Sequence, residues 1–317
     1  MVEPPELTQG PQGTIPPPER PRRPSAVVLA RRRLVAVALI LVLVGVGVWA
    51  ATAAIRTTKK AAPPATTTTA IPPPKTYRVI FPEGFTRAEM AARITAVDGI
   101  ARKKRGFEPA VTARAYLAAT ASSKLAGQFA GDRRRRSLEG FLFPAAYDLF
   151  QDDRAAVLVR KQLAAFRAGW ARVNLRYARS KNLTAYDVLI IASMVEKEAV
   201  VDSERPLVAA VIYNRLHAQM PLAIDATIRY GLQVPGTKAL TQSELKDPTP
   251  YNTRVHTGLP PTPIANPGLP SILAAAHPAK VSYLYFVAKP DRKHHFFTAS
   301  SSAFDQYLAT HGYGPHP

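Results

Sequence analysis

The sequence predicts an α+β protein in which a single N-terminal transmembrane helix is followed by a mixed helical domain with a small β-sheet. Two observations predict this class. One long uncharged apolar run lies near the N-terminus, and beyond residue 75 the apolar residues recur mostly at helical spacing, with a few short alternating stretches. A chain of 317 residues, 47% of them hydrophobic, is long enough for one or two domains with appendages.

The N-terminal segments are predicted from composition. Residues 1–33 are Pro-rich and polar, which is typical of a disordered tail. Residues 34–55 run 22 positions without a charge, enough to cross the ~30 Å hydrocarbon core of a bilayer. Residues 56–75 are rich in Pro and Thr, as in a semi-extended linker.

The charges that flank the apolar run predict its orientation. Six arginines precede it and three cations follow closely, so the tail is expected in the cytoplasm and the rest of the chain outside it, as in a single-pass protein of the bacterial cell membrane. A cleaved signal peptide is the alternative. The run is longer than the roughly 7–15 residues of a signal peptide's apolar region, and its long leader also disfavours cleavage.

Overall charge and the lack of cysteine limit the chemistry. Forty-two Lys and Arg residues against 22 acidic residues favour polyanionic surroundings, whether nucleic acid, anionic lipid or an acidic cell-wall polymer. The absence of cysteine excludes a disulfide framework, thiolate zinc sites and a cysteine nucleophile. No spacing of His or carboxylates suggests a metal site, so no metal or cofactor is expected.

The first folded part is predicted over residues 76–137. Alternating apolar residues from Tyr77 to Phe81 predict a half-buried strand, and Thr86 with Glu89 has the spacing of a capping box at the start of a helix. More helix is expected across residues 112–130. The basic run Arg133–Arg136 is expected to be an exposed loop, with an anionic glycan or lipid headgroup as the alternative partner.

The second folded part, residues 138–317, carries the residues with chemistry. Glu139 lies among aromatic residues, which fits equally a substrate contact or an exposed turn. Thr184 and Asp187 predict a helix that begins near Ala185 and ends in the sequence VEKE. A further helix is predicted from about Ser203.

The two glutamates of VEKE cannot face the same cleft, because positions 196 and 198 are about 200° apart around a helix. Glu196 shares a stripe with Leu189 and Ser193, and an apolar setting would raise its pKa and suit it as a general acid. A salt bridge to Arg or Lys at the helix end is the alternative. Glu198 is then predicted to be either a structural carboxylate or one that supports the catalytic residue without contacting substrate, near Lys197 or Arg215.

Later segments supply further polar residues. Asp225 is predicted to cap a short helix. A Pro- and Gly-rich loop, residues 249–268, contains Tyr251, Asn252, Thr253 and Asn266, whose side chains suit sugar hydroxyls. Alternation of Tyr283, Tyr285 and Val287 predicts a strand.

Six ordered motifs over about 180 residues closely resemble the MltG/YceG-like family of membrane-anchored endolytic peptidoglycan transglycosylases. They are LEGFLFPAAY, ASMVEKEAVVDSERPLVAAVIYNRL, IDATIRYGL, YNTRVHTGLPPTPIANPG, AAAHPAK and YLYFVAK. The resemblance implies a LysM-like subdomain at residues 76–137 and a YceG-like catalytic domain at 138–317. It implies that Glu196 is the catalytic acid, and that Glu139 and Asn214 lie in or beside a glycan cleft.

The chain departs from the family pattern in two places. Residues 223–226 read AIDA where the family commonly has Gln-Thr-Asp-Pro, which removes one substrate contact and leaves the setting of Asp225 open. His294 stands where the family usually has Gly-His before an aromatic residue. With Tyr251 and Asn252, Asp225 is still expected among the substrate-binding residues.

The resemblance implies cleavage of the MurNAc–GlcNAc bond of nascent peptidoglycan, which leaves 1,6-anhydroMurNAc ends. The implied mechanism needs no metal. One carboxyl group can act first as acid and then as base in such a reaction. Peptidoglycan strands are the expected partner, and cell-wall synthases are candidates. The rivals are a noncatalytic peptidoglycan-binding scaffold and, disfavoured by the predicted topology, a basic nucleic-acid binder.

Overall fold

The structure is a computed structural model that describes residue 38 and residues 41–46, 74–124, 127–129 and 135–313. The chain divides into two units, Met1–Ile71 and Pro72–Pro317, and the described residues of the first unit are helical. The predicted tail, most of the predicted span at 34–55 and most of the linker lie outside the described residues. No helix within the described ranges is long and apolar enough to cross a membrane.

Helices dominate the described part of the second unit, in agreement with a mixed α+β class. Its strands are β1 (Thr76–Ile80), β2 (Ser123–Lys124), β3 (Arg135–Arg136), β4 (Ala146–Phe150), β5 (Tyr285–Ala288) and β6 (His295–Thr298). Its α-helices are α1 (Arg87–Ile100), α2 (Ala113–Thr120), α3 (Ala155–Trp170), α4 (Arg176–Ser180), α5 (Ala185–Glu198), α6 (Arg205–His217), α7 (Asp225–Leu232), α8 (Gln242–Leu245), α9 (Leu269–Ala276) and α10 (Ser301–Thr310).

The strands form two-stranded antiparallel sheets rather than one small sheet: β1 with β4, β2 with β3, and β5 with β6. In the first of these, Tyr77 and Val79 are buried and lie opposite Leu149 and Tyr147. The alternation predicted for this strand is confirmed. Because β4 follows residue 138, this sheet joins both predicted parts of the unit, and the boundary between residues 137 and 138 stays a prediction.

Helix α1 begins as its capping box predicts. The Thr86 side chain accepts the Glu89 backbone N–H, and the Glu89 carboxylate accepts the Thr86 N–H. These two bonds satisfy backbone groups that have no partner within the helix. The helix continues as one π-helical turn, Ala101–Arg105, and stops at Gly106, whose φ is 64°.

The predicted helix over residues 112–130 was too long, because α2 ends at Thr120. There the Leu138 N–H donates to the Thr120 carbonyl, and two serines follow that favour local bonds over helix. Arg135 donates to both the side chain and the carbonyl of Ser122, which helps to hold β3 against β2. Arg135 and Arg136 are therefore strand residues and not loop, whereas 133 and 134 lie outside the described residues.

Helix α5 forms the centre of the core. All of its residues from Val188 to Val195 are buried, and α6 and α9 pack along it. The buried residues of α9 include Ala274, Ala275 and Ala276, and small side chains of this kind let packed helices approach closely. This packing fixes the position of the last turn of α5, where VEKE lies.

Strand β5 is shorter at its start than the sequence predicts. The Asn214 side-chain amide donates to the carbonyls of Val281 and Tyr283, at 2.9 and 2.8 Å. Those carbonyls are thus bound by a helix side chain, and regular pairing with β6 begins only at Tyr285. A side-chain bond from a distant helix cannot be read from local alternation.

Candidate active site

The two glutamates of VEKE lie in the last turn of α5, and both ends of this helix are well defined. The helix begins with the capping box of Thr184 and Asp187, which confirms the predicted start. It ends at Glu198, since Ala199 adopts an extended conformation with φ −86° and ψ 114°. Glu196 and Glu198 therefore lie at the C-terminal end of a buried helix and point to different partners.

Glu196 is bound by a cation. Its side chain is only 6% exposed, and its Oε2 lies 3.4 Å from the Arg205 guanidinium and accepts the Gly268 N–H at 3.0 Å. Arg205 also pairs with Asp202 at 3.0 Å and donates to the Ser271 hydroxyl. The salt-bridged alternative for Glu196 is the arrangement found.

The turn after β1 packs against the same helix end. The Lys197 ammonium donates to the carbonyl of Gly84, whose φ of 75° suits glycine. Glu83 lies so close to Gly268 that a Cβ there would stand 1.9 Å from its Oε1. Burial raises the pKa of Glu83, and nearby Glu196 acts in the same direction. Two carboxyl groups thus approach one another beside a single guanidinium.

Glu198 is half-buried and faces the N-terminus of α7. Burial raises the pKa of its carboxyl to about 7, and the neighbouring Asp225 carboxylate acts in the same direction. Lys197, the backbone N–H of Ala226 and Arg229 act in the opposite direction without cancelling the rise. A carboxyl group with a pKa near neutrality can both give and take a proton.

Asp225 is not the cap of α7, contrary to the sequence prediction. It is the first helical residue, and the capping position belongs to Ile224, which makes no side-chain bond. Thr253 from the following loop accepts the Ile224 N–H at 3.0 Å, so a residue distant in sequence binds this end of the helix. The Asp225 carboxylate pairs instead with Arg254 at 2.9 Å.

Glu139 is, with Glu198, the second carboxyl group whose pKa burial raises to about 7. It is 2% exposed, which rules out an exposed turn. It accepts the Arg87 backbone N–H at 3.0 Å, the Asn266 amide at 2.7 Å and the Tyr230 hydroxyl at 3.1 Å. Burial raises its pKa to about 7, although these three donors act in the opposite direction. No cationic side chain is among its hydrogen-bond partners in the described part of the chain.

Tyr230 links Glu139 to Tyr251. The two tyrosine rings meet edge to face at 5.1 Å, and the Tyr251 hydroxyl lies 2.9 Å from that of Thr262. Gly231 permits this contact, because a Cβ there would lie 2.7 Å from the Tyr251 Cβ. Helix α7 thus contacts Glu198 at its first turn and Glu139 through Tyr230, about 7.5 Å further along its axis.

Comparison with known proteins identifies the family. Residues 53–310 match the model of the YceG-like family. The chain belongs to the YceG-like family. A relative named endolytic murein transglycosylase, from Bacillus subtilis strain 168, is 36% identical over 155 residues, which cover 49% of this chain and 43% of the relative.

Other YceG-like relatives cover more of the chain. The endolytic murein transglycosylase of Streptococcus pneumoniae strain R6 is 30% identical over 249 residues, 73% of this chain and 44% of that protein. The chain therefore spans less than half the length of the curated relatives it matches. A crystal structure of a yceG-like protein from Listeria monocytogenes is 27% identical, with a TM-score of 0.56, and the match covers 73% of this chain and 75% of that one.

In this YceG-like chain, two residues that the sequence predicted to bind substrate form hydrogen bonds to backbone groups instead. Asn252 is 0% exposed, and its amide donates to the carbonyls of Leu245 and Asp247 while its carbonyl accepts the Arg254 N–H. Its polar groups are thus all engaged within the loop. Asn214 uses both N–H groups on the segment before β5 but remains half-buried at the edge of two grooves.

His294, which the family resemblance singled out, is exposed and pairs with an exposed aspartate. His294 Nδ1 lies 2.8 Å from Asp291, in the hairpin turn. Its neighbour His295 is the buried one, and both its backbone N–H and its Nδ1 contact the Glu204 carboxylate, at 3.0 and 2.7 Å. This pair joins β6 to the start of α6.

Sequence reasoning missed Arg205 and Tyr230 as parts of the site, and it predicted Asn266 only as a loop residue suited to sugar hydroxyls, not as a partner of Glu139. Each is far in sequence from the glutamate it contacts or lies beyond a loop, so helical periodicity carries no signal of the contact. One signal was present: the motifs that contain them were already counted in the family resemblance. The expected substrate residues Glu139, Asp225 and Tyr251 do lie together around α7.

Proposed function

We propose that this chain is a lytic transglycosylase that cuts the MurNAc–GlcNAc bond within peptidoglycan strands, leaves a 1,6-anhydroMurNAc end and so terminates strand elongation. Membership of the YceG-like family and the names of its relatives support this reaction. The observation that carries it is Glu198, a half-buried carboxyl with a pKa near 7 beside a second carboxylate.

The chemistry requires one group that protonates the oxygen leaving the anomeric carbon. The same group, now ionised, takes the proton of the muramyl 6-hydroxyl as that oxygen attacks the anomeric carbon. One C–O bond breaks and one forms, the proton returns to the carboxyl group, and no water enters the product. A carboxyl with a pKa of about 7 is suited to both steps near neutral pH.

We assign the acid and base role to Glu198. Glu196, which the sequence reasoning and the family resemblance favoured, has one oxygen engaged by both Arg205 and the Gly268 N–H. That arrangement suits a carboxylate that fixes the end of α5. The assignment of Glu196 as the catalytic acid stays a prediction. The experiment described below distinguishes the roles of the two glutamates.

The remaining groups around α7 would shape the glycan cleft. Glu139 and Tyr230 form a partly buried hydrogen bond, Tyr251 adds an aromatic face, and Asp225 provides the second carboxylate near Glu198. A ring face beside polar groups is a common surface for a sugar. Asn214 would contact substrate from the neighbouring grooves, and Asn252 would act by holding the loop.

The test compares Glu198→Gln with Glu196→Gln on purified peptidoglycan, with release of anhydromuramyl products measured by mass spectrometry. Glu198→Gln is expected to abolish release, because a neutral amide can neither give nor take the proton. Glu196→Gln is expected to keep part of the activity. Loss in Glu196→Gln alone would return the acid role to Glu196, and products with reducing muramyl ends would indicate a hydrolase. No release by the wild-type chain would favour the noncatalytic scaffold.

The proposed location follows from the sequence. Residues 34–55 would anchor the chain in the bacterial cell membrane with residues 1–33 in the cytoplasm, and the linker at 56–75 would carry a LysM-like subdomain, 76–137, and the catalytic domain, 138–317, outside it. An anchored enzyme would meet strands as they are made, close to cell-wall synthases. Protease accessibility of the C-terminal part in intact spheroplasts tests this orientation.

A further inference from the structure

Two neighbouring grooves of the second unit share Tyr177 and Asn214. The first, of about 720 Å³, runs along residues 279–283, and the second, of about 620 Å³, runs along residues 180–183. Neither lining includes Glu139, Glu196, Glu198 or Asp225. The grooves are therefore separate from the groups around α7.

The charge of both grooves has one sign. Lys280 lines the first and Lys181 the second, both exposed, and neither lining contains an aspartate or glutamate. Within the described ranges neither lysine forms an ion pair, and the Lys181 ammonium lies over the Tyr177 ring at 5.9 Å from its centre. Two ammonium groups thus flank Tyr177 and Asn214 without a carboxylate to neutralise them, which favours an anionic ligand.

The shared residues offer more than charge. Tyr177 packs on Tyr213 with ring centres 5.4 Å apart, which fixes an aromatic wall. Asn214 donates both amide hydrogens to the Val281 and Tyr283 carbonyls, which holds its Oδ1 in place as an acceptor with no protein partner among the described residues. An acceptor beside ammonium groups fits a ligand that presents both N–H donors and carboxylates. A phosphate backbone has no N–H to offer such an acceptor.

We infer that these paired grooves bind the carboxylate-bearing stem peptide of a peptidoglycan strand whose sugars are held at Glu198. Peptide N–H groups would meet the Asn214 Oδ1, and peptide carboxylates would meet Lys181 and Lys280. This inference rests on the proposed function, since it takes its ligand from the proposed substrate. It adds a peptide-reading site that is distinct from the site of bond cleavage.

The test measures binding without turnover. The full-length chain carrying Glu198→Gln is titrated calorimetrically with a purified GlcNAc–MurNAc-tetrapeptide. Adding Lys181→Gln and Lys280→Gln is expected to raise Kd about fivefold, as for the loss of two exposed ion pairs. This increase in Kd is expected to be smaller in 1 M salt, because salt screens exposed charges. The control pair Lys289→Gln and Lys293→Gln removes two lysines outside the groove linings and is expected to leave Kd unchanged.

Two further ligands separate peptide from sugar. One ligand is the same muropeptide with its peptide carboxylates amidated, and the other is a peptide-free chito-oligosaccharide. Both are expected to bind more weakly, with a Kd that the Lys181 and Lys280 substitutions do not change. Equal binding of the amidated ligand, or an unchanged Kd in the Lys181 and Lys280 variant, would overturn the inference. Because binding is read in the Glu198→Gln chain, these results do not depend on cleavage. Absence of anhydromuramyl products from the wild-type chain would instead refute the proposed function alone.

Discussion

Replacing Glu139 with Gln should remove one distinct part of the pH dependence of folding stability. Glu139 is 2% exposed, and burial raises its pKa from 4.5 to about 7. The unfolded chain loses this proton at a lower pH than the folded chain does. The stability that the protonated group contributes is therefore complete below pH 4.5 and is lost as pH rises through 7. At about 1.4 kcal/mol per pH unit, the loss amounts to about 3 kcal/mol.

A glutamine fits the site with little change of geometry. Its carbonyl oxygen can accept from Arg87 and Asn266 as the Glu139 Oε1 does, and the Tyr230 hydroxyl can turn to accept from the new amide. The wild-type chain should thus lose about 3 kcal/mol more than Glu139→Gln between pH 5 and pH 8.

Urea unfolding at several pH values, followed by tryptophan fluorescence, measures this difference in the full-length chain. Glu108→Gln removes a glutamate whose side chain is 70% exposed and serves as the matched control. Parallel curves for wild type and Glu139→Gln between pH 5 and pH 8 would contradict the reasoning. Such a result would mean that the buried carboxyl group ionises as readily in the folded chain as in the unfolded one.

Three other changes test the site. Release of anhydromuramyl products should decline as pH rises through about 7, because the Glu198 acid loses its proton there; a rate that keeps rising to pH 8.5 would exclude this group as the acid. Arg205→Met should lower the urea midpoint by the equivalent of about 3 kcal/mol, since it leaves Glu196 buried without its cation, and an unchanged midpoint would contradict this. Gly231→Ala should cost about 1–3 kcal/mol in thermal unfolding despite better helix propensity, because its Cβ would meet Tyr251 at 2.7 Å; a raised Tm would refute this contact.

Local signals in the sequence predicted the features that depend on neighbours in sequence. The capping boxes at Thr86 and Thr184, and the alternation in β1, involve residues at most a few positions apart, and the structure has them as predicted. The cap of α7 was predicted wrongly, because Thr253 occupies that role from a loop nearly thirty residues away. Contacts of this kind depend on how loops return to a helix end, and no local pattern records them.

The two glutamates of VEKE also have partners that no local pattern in the sequence records. The apolar stripe of α5 gives information only about residues within that helix. It does not reveal that Arg205, from α6, pairs with the Glu196 carboxylate. Glu198 has no such apolar stripe, but α7 brings it a second carboxylate, and burial against that helix raises its pKa to about 7.

The arrangement also divides the work between the two residues. A cation and a backbone N–H hold Glu196, which ties the last turn of α5 to the starts of α6 and α9. With that turn fixed, the geometry of the helix directs Glu198 to the opposite side, toward α7. Under the proposed assignment of Glu198 as the acid, the salt-bridged Glu196 two positions earlier helps to aim the proton donor, and replacing Glu196 should disturb the position of Glu198 more than its chemistry.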